Sequence, residues 1–163
     1  MQIAGGGGRE ATDHETADRR PQTAGTSARY VSDVAKKLGD YDRKRDFEAT
    51  PEPAGGADGA NGDLPRFVIQ EHSATRLHWD LRLEHDGVLL SWAVPNGIPM
   101  DPKENRKAVH TEDHPLEYLD FHGEIPRGNY GAGTMTIWDH GTYEPEKVRK
   151  DEVILVFHGE RVQ

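Results

Sequence analysis

The 163-residue sequence has no cysteine, which excludes disulfides and thiolate metal sites. Any metal ion would have to be held by histidine, aspartate or glutamate. No apolar run is long enough to span a bilayer, and the opening MQIAGGGGRE lacks the apolar centre of a signal peptide. A soluble, cytoplasmic protein with no membrane partner is therefore expected. Apolar residues make up only 34% of the chain and charged residues 30%, too polar a mixture for every segment to be packed. Basic residues are outnumbered 20 to 29, for a formal net charge of −9. That is the wrong sign for a broad basic face that coats nucleic acid, although an enzyme with a small basic site remains compatible with it.

Large apolar residues are scarce from Met1 to about Asp63. GGGG and PEPAGGADGANGD cannot bury enough surface to offset their ordering entropy. Residues 1–28 are expected to be disordered, within an acidic, Gly-rich tail that spans 1–37, and 54–63 to be a flexible linker. Between them SDVAKKLGDYDRKRDF suits a short helix, with Ser32 as N-cap and Gly39 as its stop. From Leu64 the texture changes to strand-like runs such as RFVIQEH, VLLSWAVP and EVILVFHG, separated by HDG, PNGIP and RGNYGAG. The expected fold is all-β, a small closed or nearly closed β-barrel. After EVILVFHG only ERVQ follows, so one edge of that strand is expected to be unpaired or covered by another segment.

The densest chemistry lies in LHWDLRLEH, where His78, Asp80 and Arg82 alternate with Leu77, Trp79, Leu81 and Leu83. Residues two apart on a strand share a face, about 6.6 Å apart along it. His78 and Asp80 can thus converge on one cation, and Arg82 can hold a phosphate oxygen beside it through its planar fork of donors. His72 has the same parity, although SATR interrupts the run. Two imidazoles and a carboxylate leave coordination positions open, as catalytic metal sites do. The plain alternative is that this polar face is only the solvated side of an antiparallel sheet. Its composition argues otherwise, since solvated faces favour Lys, Glu and Thr.

A second cluster, VHTEDHPLEYLDFHGEIPRGNYGAG, carries Asp113, His114 and Tyr118. Its glycines Gly128, Gly131 and Gly133 could offer N–H groups to an anion, but they match no phosphate-loop pattern. A turn feeding the strand TMTIWD is the better reading. Trp79, Trp92 and Trp138 read as core rather than as base-stacking platforms.

Taken together, YDRKRDFEATPEP, FVIQEHSATRLHWDLRLE, LLSWAVPNG, EDHPLEYLDFHGEIPRGNYGAGTMTIWDHGTYEP and LVFHGER resemble the 3′-phosphoesterase domain of bacterial DNA ligase D. They are equally similar to its stand-alone bacterial and archaeal relatives. The resemblance spans residues 38–163 and implies a domain of that extent. It implies a manganese-dependent β-barrel that trims the 3′ ends of broken DNA or DNA/RNA primer-templates in nonhomologous end joining. Such a domain removes a 3′-terminal ribonucleoside and then the 3′-phosphate, beside a separate ligase, polymerase and Ku. Carried over by position, the metal ligands are His72, His78 and Asp80. Arg82, His114 and Tyr118 are implied as catalytic or phosphate-contacting, with Arg106 in support. Asp46 and Glu52 match acidic positions that assist ribonucleoside removal. Asn96 stands where the family usually carries a lysine. Two other readings compete: a cupin-like iron oxygenase using the same triad, and a non-catalytic DNA-end adaptor of the same fold.

Overall fold

The computed structural model describes residues 2–4, 28–55 and 64–163. Strand β1 (Gln2–Ala4) is followed by helices α1 (Ala28–Lys37) and α2 (Gly39–Arg43). Next come β2 (Arg66–Ser73), β3 (Leu77–His85), β4 (Val88–Val94), β5 (Asn105–Lys107) and β6 (Val109–His114). A 3₁₀ helix at Leu116–Asp120 leads into β7 (Gly123–Ile125), the 16-residue β8 (Gly133–Val148) and β9 (Val153–Gly159). None of the described helices is long and apolar enough to cross a membrane.

Seven strands form one antiparallel sheet in the order β6-β4-β3-β2-β8-β7, with β9 also paired to β8. Register shifts at Ile69/Gln70, Leu89/Ser91 and Pro145/Lys147 mark bulges, which add twist and curl the sheet. The curl stops short of the closed or nearly closed barrel expected from sequence. Short β7 and β9 both occupy the edge of β8 opposite β2, and among the described residues neither pairs with β6 at the other end. The sheet is an open half-barrel.

The helical expectation needs correction at both ends. Ser32 lies within α1, which begins at Ala28, and Gly39 opens α2 instead of ending the helical segment. Of the tail expected over 1–37, residues 2–4 pair with β5 and 28–37 are helical, while the rest lies outside the described residues. Within the expected linker, 56–63 likewise lies outside them.

Two-residue periodicity places two sets of side chains on opposite faces of the sheet. Phe67, Ile69, Leu81, Leu83, Trp92 and Val94 form one core, with Trp79, Trp138, Leu155 and Phe157 packed against it. The other face joins Val68, Leu89 and Met135 to Tyr41 of α2 and to Leu116, Tyr118 and Leu119 of the 3₁₀ helix. His78, Asp80 and Arg82 point to this second face. Asp80 and Arg82 sit in a covered core, 7% and 3% exposed, and His78 at the strand's outer end is half-buried.

Turn chemistry sets the register. Asp86 (φ 48°) and Gly87 (φ 81°) make the two-residue turn between β3 and β4, both in the left-handed region that such hairpins require. Gly133 opens β8 at φ 143°, where a Cβ would come within 2.3 Å of the Ser73 carbonyl. The Gly-rich run thus feeds β8, as expected for a turn.

Candidate active site

The β2–β3 hairpin sets His72 directly opposite His78, with Ala74, Thr75 and Arg76 as its turn, and pairs Gln70 with Asp80. His72 therefore joins the cluster from the neighbouring strand. His72 Nδ1 lies 3.1 Å from His78 Nε2 and 3.3 Å from Asp80 Oδ2, and His78 Nε2 lies 3.4 Å from Asp80 Oδ1.

The outer ring nitrogens fix the tautomers. His72 Nε2–H donates to the Gly131 carbonyl at 2.8 Å, and His78 Nδ1–H donates to the Arg76 carbonyl at 3.0 Å. The inward nitrogens are then lone-pair bearers facing a carboxylate. Three acceptors this close repel one another unless a proton or cation lies among them. Their ligand atoms all lie within 4.8 Å of one another, so the group could hold a metal ion. The Asp80 hydrogen bond raises the His78 pKa against the opposing effect of burial. Burial pushes the Asp80 carboxyl up, but Arg82, His72 and His78 together hold it well below the usual carboxylate range.

Arg82 continues the row. Its Nη2 is 3.5 Å from Asp80 Oδ2, Nε donates to Gln70 Oε1 at 2.7 Å, and Nη1 donates to Ser91 Oγ at 3.0 Å. These contacts use one direction of each nitrogen, so the guanidinium keeps donors for a phosphate oxygen. Its plane is backed by the Tyr118 ring, 4.5 Å away.

His114 follows through Ser91. Its Nδ1 lies 2.8 Å from the Glu112 carbonyl and 3.2 Å from Ser91 Oγ, so the proton sits on Nδ1. Nε2 accepts from Arg45 Nη2 at 3.3 Å. Burial, then Arg82 and Arg45, hold the His114 pKa well below its ordinary value, leaving a neutral ring.

Arg45 escaped the sequence reading. Its side chain is 4% exposed, stacked on Tyr41 at 3.8 Å and bonded to Glu52 Oε1 (2.8 Å) and Glu112 Oε1 (3.2 Å). Within DRKRDF it is one of three basic residues, and nothing local marks it as buried. Tyr118 donates its hydroxyl to Glu52 Oε1 at 2.8 Å, and burial raises its pKa. Glu52 thus belongs to the cluster.

Two predicted positions sit elsewhere. Asp46 is exposed and shapes its own turn, accepting from the Glu48 amide at 3.1 Å. Arg106 donates to the Asn96 carbonyl (3.3 Å) and to Glu104 (2.7 Å). Arg106 lies near the end of the sheet that carries His78, since β4 runs out just before Asn96 where Val94 pairs with Trp79.

Fold and site define an open β half-barrel with a metal-capable triad and a buried arginine beside it. The chain belongs to the DNA ligase D 3′-phosphoesterase domain family, whose sequence profile matches residues 70–163. It is 54% identical over 140 residues to the multifunctional non-homologous end joining protein LigD of Mycolicibacterium smegmatis, covering 79% of this chain and 18% of that protein. The Mycobacterium tuberculosis H37Rv protein is 54% identical over 133 residues, with the same shares covered. LigD of Pseudomonas aeruginosa is 47% identical over 134 residues, covering 78% of this chain and 16% of that protein. The chain thus spans less than a fifth of the length of these relatives.

Proposed function

We propose that this chain is a 3′-end-processing phosphoesterase dependent on a divalent metal ion, manganese or another divalent cation. It would remove 3′-terminal ribonucleosides and 3′-phosphates from DNA or DNA/RNA primer-templates, leaving 3′-OH ends for nonhomologous end joining in the cytoplasm. A ligase, a polymerase and Ku would be its partners, and residues 38–163 the working unit. The observation that carries this reading is the acceptor-only convergence of His72, His78 and Asp80 beside the buried guanidinium of Arg82.

The ion would supply charge stabilisation at a phosphate oxygen and a water of lowered pKa. Arg82 would bind a nonbridging oxygen, held in orientation by Gln70, Ser91 and the Tyr118 ring. His114, neutral as it stands, is a hydrogen-bonding group rather than a ready acid. A phosphate beside Arg82 would offset part of the positive charge that depresses His114, and so favour its protonation. Glu52 and Arg45 hold Tyr118 and His114 in place from behind. Arg106 and Asp46 would touch substrate only beyond this row. An iron oxygenase would use the same triad but has no evident need of an arginine on the ligand face.

The test is incubation with manganese and a labelled primer-template ending in a 3′-phosphate or a 3′-ribonucleotide. His78→Ala and Asp80→Ala should abolish turnover with the fold retained, and Arg82→Lys should lower kcat/KM by about 10²-fold. Full turnover by the two alanine variants, with metal still bound, would sink the assignment.

A further inference from the structure

An open groove of about 440 Å³ adjoins the candidate site, lined by residues that include Lys37, Asp40, Lys44, Glu112, Asp113 and Tyr130. It shares walls with both ends of the polar row. Glu112 is bonded to Arg45, which reaches His114, and Tyr130 immediately precedes Gly131, whose carbonyl supports His72.

The lining excludes some occupants. Two lysines face three carboxylates, and Lys44 is already paired with Glu112 at 3.1 Å, so the groove is not a track for a run of phosphates. It is also too polar for a lipid chain. What it presents is an aromatic ring, Tyr130, 49% exposed, with Lys44 Nζ 4.7 Å and Arg45 Cζ 5.5 Å from its centre. Cations against a ring hold it in place while half of it stays open. The carboxylates nearby accept hydrogen bonds from amino and hydroxyl groups. A ring for stacking, acceptors for ring amines and sugar hydroxyls, and a volume in the range of small-molecule sites together suit one nucleoside.

We infer that Tyr130 is the stacking platform for the 3′-terminal nucleobase of the substrate strand, seated in this groove beside the reacting phosphate. The inference rests on the reading of the chain as acting on nucleic-acid 3′ ends. It assigns the groove to base-tolerant holding of one nucleotide, since every base offers a π-face.

The experiment uses the full chain and primer-templates carrying 2-aminopurine, or an abasic residue, as the 3′-terminal nucleotide. Fluorescence anisotropy gives Kd and the 2-aminopurine emission reports stacking. The wild type should quench the emission and bind the base-containing end about tenfold tighter than the abasic one. Tyr130→Ala should abolish the quench and bring that ratio near one, whereas Tyr130→Phe and Tyr130→Trp should keep both. An unchanged quench and ratio in Tyr130→Ala, or loss of both in Tyr130→Phe, overturns the inference. Turnover in manganese is followed on the same ends. Tyr130-dependent quenching without turnover would leave the stacking site standing and refute the enzymatic reading. Turnover with no Tyr130-dependent quenching would do the reverse.

Discussion

At the scale of single residues, the site is a set of groups whose protonation is dictated by their neighbours. His78 is held up by Asp80, while His114 is held down by burial and two guanidiniums. The two imidazoles therefore pull stability in opposite directions with pH. For His114 the unfolded chain takes up a proton near pH ~6.5 that the folded protein resists. Its contribution is full above that pH and is lost as pH falls toward its depressed folded value. His78, in metal-free protein, contributes below its ordinary pKa and loses that contribution as pH rises through its raised one. The Asp80 contribution is lost only below the ordinary carboxylate range, about pH 4. Thermal melts between pH 7.5 and 5 should thus show a decline that His114→Asn flattens. A slope unaltered by the substitution would mean that His114 titrates normally in the folded protein.

At the scale of elements, the strict alternation of LHWDLRLEH was enough to put His78, Asp80 and Arg82 on one face, and HDG and RGNYGAG were legible as turns. Composition argued against a solvated face, but what covers it was not legible, because its cover comes from α2 and the 3₁₀ helix, distant in sequence and carrying Tyr41 and Tyr118. Arg45 was hidden for the same reason: its partners Glu52, Glu112 and His114 lie 7, 67 and 69 residues away. Nor could alternation decide barrel closure, which depends on whether the two end strands meet. The hairpin geometry that places His72 opposite His78 leans on how closely β8 approaches β2. Gly133 sits where the backbones nearly touch, with space for a Cβ closed by Ser73 and Ala74. Gly133→Ala combines a clash with a disfavoured φ and is expected to cost on the order of 2–4 kcal/mol in denaturant unfolding. Metal affinity should weaken with it as the Ser73 end of β2 shifts. A loss under 1 kcal/mol would show that the strand end relaxes freely.

At the scale of the whole molecule, the question is how a chain of net charge −9 would take hold of a polyanion. Many of its cations are already committed: Arg45 to Glu52 and Glu112, Arg66 to Glu84, Arg106 to Glu104, Arg43 to Asp40 and Lys147 to Glu152. With a net negative charge, the chain as a whole is poorly suited to releasing a large number of counterions. Grip should come instead from the end of the strand, through Arg82, a bound cation and one stacked base. Each neutralised phosphate adds about 0.7–0.9 to the salt slope, so end-only binding should give a slope of log Kd-derived affinity against log salt of about −1 to −3. Proteins that track along a duplex show slopes several-fold steeper. Anisotropy titrations of a primer-template from 50 to 300 mM KCl would measure it, and covalently closed duplex without 3′ ends should bind far more weakly. A slope beyond about −5 would reveal an extended phosphate contact and would contradict recognition of the 3′ end alone.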